Sequence, residues 1–194
     1  MLLEYFEINQ RRSHNVKLKT RILLTVLITA LPLSLRATTV IRMDMERLSK
    51  RAEVVAVGRC IESVSGWNEG RTQIYSTITI QVSQYLKGFL GSRISFKQLG
   101  GVVGRVSSRV PGMPKFKPGR EVVIFLAKDT LGKFQVLGMS QGKFDVLKAA
   151  ESSVKMVKPE SLEGLHLLGP VSQKKFVGSI TMDAFIKKVK SYVE

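Results

Sequence analysis

Apolar and polar residues alternate over one long stretch of the chain, from about residue 71 to residue 86. Ile78, Ile80 and Val82 fall on one face of an extended strand there, while hydroxyl and amide side chains fall on the other. This two-residue period predicts an antiparallel strand with one buried face. A β-branched run at about 53–64 predicts the preceding strand, and the turn-forming residues 67–70 predict that the two form a hairpin.

Shorter apolar segments predict four more strands. Ile94 and Phe96 alternate with polar neighbours, and further strands are predicted at 120–127, 134–138 and 142–147. Antiparallel strands of this number and length predict a mainly β fold, a small barrel of the OB-fold type over about 53–147, with a β-sandwich as the alternative. The residues expected inside it are Ile78, Ile80, Val82, Ile94, Phe96, Ile124 and Leu126.

A helix is predicted on either side of this β region. Asp44 is placed to cap a short N-terminal helix, and Thr181 to cap a longer C-terminal one. The second helix is amphipathic and is expected to pack on the barrel through Met182, Phe185, Ile186, Val189 and Val193. We therefore expect a barrel domain at 38–150, followed by a tail at 151–194 that is rich in loops, with one short strand at 153–157, and ends in this helix.

The chain between Leu99 and Gly119 differs from its surroundings because it is rich in glycine and proline. Long loops inside compact domains are uncommon and often functional. We expect this loop to be mobile in the free protein and to form the main partner surface; a simple connector is the alternative. Its candidate binding residues are Arg105, Arg109, Lys115 and Lys117, to which Trp67, the aromatic residue of the predicted hairpin turn, is added as a partner anchor or a cover for the barrel end.

The apolar run Ile22–Leu35 follows Lys17, Lys19 and Arg21 and is closed by Ala37. This order is typical of a secretory signal peptide, and the run is shorter than the roughly 20 residues of a membrane span. We expect export to the periplasm or the medium with cleavage after Ala37; an uncleaved membrane anchor is the alternative. The residues ahead of Val16 form an N-terminal extension, and translation from Val16 is a further hypothesis.

The chain carries a formal net charge of +16, and no acidic residue lies between Glu69 and Glu121. A field of one sign favours polyanionic partners, here an anionic envelope surface or acidic polysaccharide, or it serves solubility. Export argues against nucleic acid as the partner. The single cysteine, Cys60, permits no intrachain disulfide and is expected in the core.

The residue types that catalysis or metal binding needs are scarce. His166 is the one histidine outside the N-terminal extension, so neither a Ser/His/Asp arrangement nor a Cys/His metal set is available. The glycines at 100–104 lack the Gly-Lys-Ser/Thr ending of a phosphate-binding loop. Glu121 and Asp145 are expected to be solvated or paired with lysines. We expect no enzyme, no cofactor and no metal.

Three segments together carry a resemblance. The sequences AEVVAVGR at 52–59, VSQYLKG at 82–88 and FKPGREVVIFL at 116–126 resemble the netrin-like OB-fold domain of tissue inhibitors of metalloproteinases and exported bacterial proteins of similar pattern. The resemblance covers about 52–147 and implies the fold. It does not imply the inhibitory mechanism, since the family binds the protease zinc through an N-terminal cysteine and no cysteine lies near Thr38.

Two functions follow as expectations. The first is an exported, non-enzymatic binding module that engages an exported protein, such as a protease, through the 99–119 loop and the 67–70 turn. The second is a basic protein that binds a polyanion or the envelope surface. Charge-driven binding weakens steeply with salt, which separates the two.

Overall fold

The computed structural model describes residues 38–148, 153–162, 165–168 and 178–193. The predicted signal segment, its cleavage site and part of the loop-rich tail lie outside the described residues. In chain order the elements are β1 (Thr38–Ile41), α1 (Met45–Arg51), β2 (Val54–Trp67), β3 (Ile74–Lys87), β4 (Arg93–Leu99), β5 (Gly101–Val103), β6 (Val106–Ser108), β7 (Glu121–Lys128), β8 (Phe134–Val136), β9 (Lys143–Lys148), β10 (Lys155–Pro159), β11 (Leu165–Leu168), β12 (Ile180–Thr181) and α2 (Met182–Val193).

Most of these strands form one antiparallel sheet in the order β12-β10-β9-β7-β2-β3-β4, with β8 also paired to β7. β5 and β6 form a separate hairpin, and β1 pairs in parallel with β11. The protein is therefore mainly β, as the sequence predicts, and the strand predicted at 153–157 is present as β10.

The long β2–β3 hairpin confirms the alternation seen in the sequence. Its register pairs Cys60 with Ile80 and Ser63 with Ile78, and the even-numbered residues of β3 from Ile74 to Ile80 are buried. The turn is held by Asn68, whose side-chain oxygen accepts hydrogen bonds from the backbone nitrogens of Thr72 and Gln73 at 2.8 and 3.0 Å. The hairpin therefore ends in a fixed turn.

Each face of the central strands β2 and β7 has its own apolar core. On one face Ile78, Ile80, Ile94, Phe96, Ile124 and Leu126 are buried, as expected, with Cys60 among them and Val82 partly buried against them. On the other face Val55, Val57, Val123 and Phe125 pack with residues of the two helices. Strand β7 is buried on both faces, which explains why its sequence is a continuous apolar run.

Both helices are present as predicted. The Asp44 carboxylate accepts a hydrogen bond from the backbone nitrogen of Arg47 at the start of α1. In α2, Phe185 and Val189 are fully buried in the second core, and Phe185 lies 5.1 Å from the ring of Phe144 between centroids. The amphipathic face of α2 thus covers one face of the sheet.

The expected closed barrel of the OB-fold type is not formed, because the sheet stays open at β4. Strand β8 comes within 8 Å of β4 between Cα atoms without pairing with it. The chain beside β4 contains Pro111, Pro114 and Pro118, which have no N–H to donate to a ladder. The Gln98 side-chain nitrogen of β4 donates a hydrogen bond to the Pro114 carbonyl at 2.9 Å.

The segment 99–119 contains more regular secondary structure than the predicted loop. It contains the β5–β6 hairpin, and Phe116 is buried against Phe96 with ring centroids 5.5 Å apart. Gly100 and Gly101 have φ angles of 93° and 143°, and a Cβ at Gly101 would collide with the hydroxyls of Ser65 and Ser76. The glycines therefore permit a close crossing over the β2–β3 hairpin, which composition alone did not indicate.

Candidate functional site

An open cleft of about 1240 Å³ lies along β4. One wall is β4 itself, from Ser95 to Leu99, and the opposite wall is β8 with the turn 129–133 that precedes it. Trp67 and the hairpin turn after it form one end, and Met113 and Pro114 lie between the walls. The cleft thus occupies the place where barrel closure would have joined β4 to β8.

Large apolar side chains stand exposed at the rim of this cleft. Leu131 is 77% exposed and Trp67 is 40% exposed. Phe134 is half-buried and packs against the apolar core that contains Ile78 and Phe96. Exposed apolar groups around a concave surface are typical of a site for a partner.

The wall opposite β4 is held in a defined shape. The Asp129 carboxylate accepts hydrogen bonds from the backbone nitrogens of Leu131 and Lys133, both at 2.8 Å. These bonds close the turn that presents Leu131. The Asp129 carboxylate is therefore engaged by hydrogen bonds within its own turn, although the residue lines the cleft.

Strand β4 presents a free backbone edge to the cleft. At its two ends Gly100 N donates to Ile74 O at 2.8 Å, and Val82 N donates to Ser92 O at 2.9 Å. In antiparallel pairing the residues that bond to one neighbour alternate with those that bond to the other. Since these bonds involve even-numbered residues, the backbone groups of Arg93, Ser95 and Lys97 point away from β3. Within the described part of the chain no strand pairs with them.

The predicted binding residues do not form one site. Trp67 lines the cleft, whereas the four basic residues do not. Arg105 lies at the exposed turn of the β5–β6 hairpin, with Val102 and Val106 exposed at 61% and 48% beside it. Arg109 is exposed further along the same segment. The cleft instead draws on Met113 and Pro114 from this segment, which sequence reasoning missed because apolar residues there carried no periodic signal.

Lys115 and Lys117 flank the buried Phe116 and are exposed. The backbone nitrogen of Lys115 donates to the carboxylate of Glu160 at 2.8 Å, which ties the segment to the end of β10. This contact is structural, and it leaves the ammonium group of Lys115 out of the cleft.

A buried charge cluster next to this tie was not predicted. The Lys143 side chain is only 3% exposed, and its Nζ lies 2.8 Å from Asp145 Oδ1 and 3.3 Å from Glu160 Oε2. The second contact is an ion pair without hydrogen-bond geometry. The ammonium also lies 5.7 Å from the centroid of the Phe116 ring. Its partners explain how a lysine is retained in the core.

Burial raises the pKa of the Glu160 carboxyl above its usual 4.5, and the neighbouring Asp145 charge adds to this. Lys143 and the Lys115 backbone N–H act in the opposite direction without reversing the shift. Asp145 is thus paired with a lysine, and so is Glu121, which accepts from Lys155 Nζ at 2.8 Å. Both pairings confirm one of the two expected outcomes. The pairing of Lys143 with Asp145 had a signal in the sequence, since residues 143 and 145 lie on the same face of a predicted strand.

Two arginines share one row across the sheet. Register places Arg59 of β2 beside Gln81 of β3, and Gln81 beside Arg93 of β4. The Arg93 Nε donates to the Gln81 side-chain oxygen at 3.0 Å, and Arg59 donates to the Gly119 carbonyl. Arg59 and Arg93 are exposed and Gln81 is partly buried, and Glu121 of β7, paired with Lys155, lies opposite Arg59 in the same row. The row gives the sheet a basic strip separate from the cleft.

Cys60 is fully buried, as expected, and burial raises the pKa of its thiol. Across the described ranges no three His, Cys, Asp or Glu side chains are grouped as metal ligands. In the same ranges no helix is long and apolar enough to cross a membrane. Comparison of the chain with protein-family models, curated proteins and solved structures finds no match.

Proposed function

We propose that this chain is an exported, non-enzymatic binding module and that it engages an exported protein in the cleft beside β4. The observation that supports this is the cleft itself, where exposed apolar groups meet an unpaired strand edge. Trp67, named from the sequence as an anchor, belongs to it. The surface assigned to the partner therefore moves from the basic side chains of the 99–119 segment to the walls around Trp67 and Leu131.

Export belongs to the proposal. The basic and apolar segments that end near Ala37 have the order of a signal peptide. Sequencing the N-terminus of the protein recovered outside the cytoplasm tests this step. A start at Thr38 supports it, and recovery of a chain that retains Ile22–Leu35 in the membrane fraction would favour the anchor.

The resemblance to netrin-like OB-fold domains stays part of this proposal, and a protease is the partner class it suggests. The apolar core around Ile78, Ile80 and Phe96 supports a barrel of that family that is left open between β4 and β8. The zinc-chelating cysteine of the family has no counterpart near Thr38, so inhibition would have to use another contact. Adding the protein to secreted proteases and measuring residual activity tests this partner class directly.

The test of the cleft compares two exposed apolar residues. Leu131 and Phe89 are 77% and 75% exposed, and only Leu131 lines the cleft. A photo-crosslinking residue at position 131 should capture a discrete exported protein in the producing cells, and Trp67→Asp should remove that product. The same probe at position 89 should give little product. Equal capture from both positions, or capture that ignores Trp67→Asp, would overturn the proposal.

The second candidate function is the binding of a polyanion along the basic strip of Arg59 and Arg93. The observation that favours it is the cross-strand row that joins them through Gln81. Binding to a sulfated polysaccharide should then fall steeply with salt, and the double change Arg59→Gln with Arg93→Gln should weaken it. The change Leu131→Asp should leave it unaltered. Loss of cleft crosslinking by moderate salt alone would favour this candidate over the first.

A further inference from the structure

We propose that the tip of the β5–β6 hairpin, residues 102–106, inserts into the headgroup region of an anionic phospholipid membrane and so binds the protein to the membrane surface. This surface is separate from the cleft, because none of the residues 101–108 lines it. The inference therefore goes beyond the proposed function and does not depend on it.

The tip is apolar on both of its faces. Val102 and Val106 are 61% and 48% exposed. Val106 lies opposite Val103 in the strand pair, and residues directly opposite each other share a face. Val102 lies opposite Ser107, on the other face. A flat protein surface would cover one face of so narrow a hairpin, whereas a fluid interface surrounds both. The arrangement therefore favours lipid over a folded partner.

The hairpin and the residues around it in the chain carry only positive charge. Arg105 lies at the exposed turn, and Arg109 follows the end of β6 directly and is exposed. No acidic residue lies between Glu69 and Glu121. Arginine side chains lay their aliphatic stems along apolar surroundings while the guanidinium groups bind phosphate. Exposed apolar area together with positive charge is what binds a protein to an anionic membrane interface.

The base of the hairpin is held firmly on the sheet. The Ser76 hydroxyl donates to the Gly100 carbonyl at 2.7 Å, and the Gly100 nitrogen donates to the Ile74 carbonyl at 2.8 Å. A Cβ at Gly101 would collide with the hydroxyls of Ser65 and Ser76, so β5 lies directly on the β2–β3 hairpin. Since the base is already fixed, little conformational freedom is lost when the tip enters an interface.

The length of the hairpin limits how deeply it can insert. β5 and β6 have three residues each, whereas a strand needs about 9–11 residues to cross a membrane. Within the described residues the two strands pair only with each other, so their outward backbone groups need water or headgroups as partners. We therefore expect shallow insertion at the boundary between headgroups and acyl chains.

The first experiment measures vesicle binding by sedimentation. It uses the chain recovered outside the cytoplasm, because the apolar run Ile22–Leu35 of an unprocessed chain would itself bind lipid. Vesicles of phosphatidylglycerol and phosphatidylcholine in equal parts should bind the protein at least about tenfold more tightly than vesicles of phosphatidylcholine alone. Added salt should reduce the difference. Equal affinities, or no binding to the anionic vesicles, would overturn the proposal.

Variants then assign the binding to the hairpin. Val102→Thr with Val106→Thr keeps the branched shape and the charge but adds hydroxyls, so it should weaken binding about fivefold or more. Arg105→Gln with Arg109→Gln should weaken it about tenfold. The control is Phe89→Thr, which removes a 75% exposed ring just after the far end of β3 and should leave binding unchanged. Unchanged binding of the double threonine variant, or an equal loss with Phe89→Thr, would show that the hairpin does not insert.

A local measurement keeps the test independent of these variants. Val106→Cys can be labelled with a polarity-sensitive fluorophore, since Cys60 is fully buried. Its emission should shift to shorter wavelength when anionic vesicles are added, whereas the same label on Phe89→Cys should not respond. A label at position 106 that stays in water while the protein sediments with the vesicles would overturn insertion. An equal shift with a soluble sulfated polysaccharide would assign the hairpin to polyanions in general and overturn the choice of lipid.

Discussion

The two faces of the central sheet differ in how completely they are covered. The face under α1 and α2 is closed by aromatic packing, with Phe185 fully buried 6.4 Å from Phe125 between ring centroids. The other face is filled near Ile78 and Ile80 but opens into the cleft, whose wall opposite β4 presents the exposed Leu131. The face that the helices cover contributes to stability, whereas the face that stays partly uncovered provides a surface for a partner. Truncation of a large apolar side chain should therefore lower the stability strongly on the covered face and hardly at all on the open one.

The largest effect is expected on the covered face. Phe185→Ala removes a fully buried ring and leaves a cavity, so the free energy of unfolding should fall by about 3–5 kcal/mol. Leu131→Ala, a change of similar chemistry on the open face, should alter it by no more than about 0.5 kcal/mol. Urea unfolding of both variants measures the contrast. Similar losses for the two would show that the open wall is part of the folding core.

Loss of the buried Lys143 charge on β9 should have an intermediate effect. Lys143→Met keeps the length of the side chain but removes the positive charge between Asp145 and Glu160. Unfolding free energy should fall by about 1–3 kcal/mol, because carboxylates are left without their partner in a partly buried site. The half-exposed Asp145 and the raised pKa of Glu160 both limit the cost. A variant more stable than the parent would contradict this reasoning.

Particular residues show how far the sequence predicts this fold. The alternation around Ile78 and the spacing of Phe185 and Val189 predicted elements that the structure contains, because burial on one face imposes a period on the chain. Strands β5 and β6 were missed, since three residues are too few to show a period. Closure was expected and is absent, because whether β8 reaches β4 depends on the chain between them and not on either strand.

The candidate site was predictable only in part, for the same reason. Trp67 was identified because a large aromatic residue in a turn stands out in any sequence. Leu131 and the adjacent residues Met113 and Pro114 lie in two separate segments that meet only in the fold. Glu160 is distant from Lys115 and Lys143 in the chain, so its contacts with both residues carried no local signal.

The pH dependence of stability tests the effect of burial on Glu160. A carboxyl with a raised folded-state pKa binds its proton more tightly in the folded state than in the unfolded one. The contribution of Glu160 is thus fully present below its usual pKa of 4.5 and is lost as pH rises through the higher folded-state value. Glu160→Gln should remove this loss, so its stability relative to the parent should increase from pH 4.5 towards neutrality in thermal melts. A relative decrease over that range would mean that the ion pair with Lys143 outweighs burial.

The smallest effect is expected for the β5–β6 hairpin, which lies on the open side but outside the cleft. Its base is anchored, since Ser76 donates to the Gly100 carbonyl at 2.7 Å, while Val102, Arg105 and Val106 are exposed. Replacing residues 102–107 with a short Gly/Ser linker should change the unfolding free energy by no more than about 0.5 kcal/mol. If Arg105 and the exposed hairpin around it carry the partner, the replacement abolishes crosslinking from position 131; if the cleft does, crosslinking persists. We expect persistence, because the residues of the 99–119 segment that line the cleft, Leu99, Met113 and Pro114, lie outside the replaced stretch.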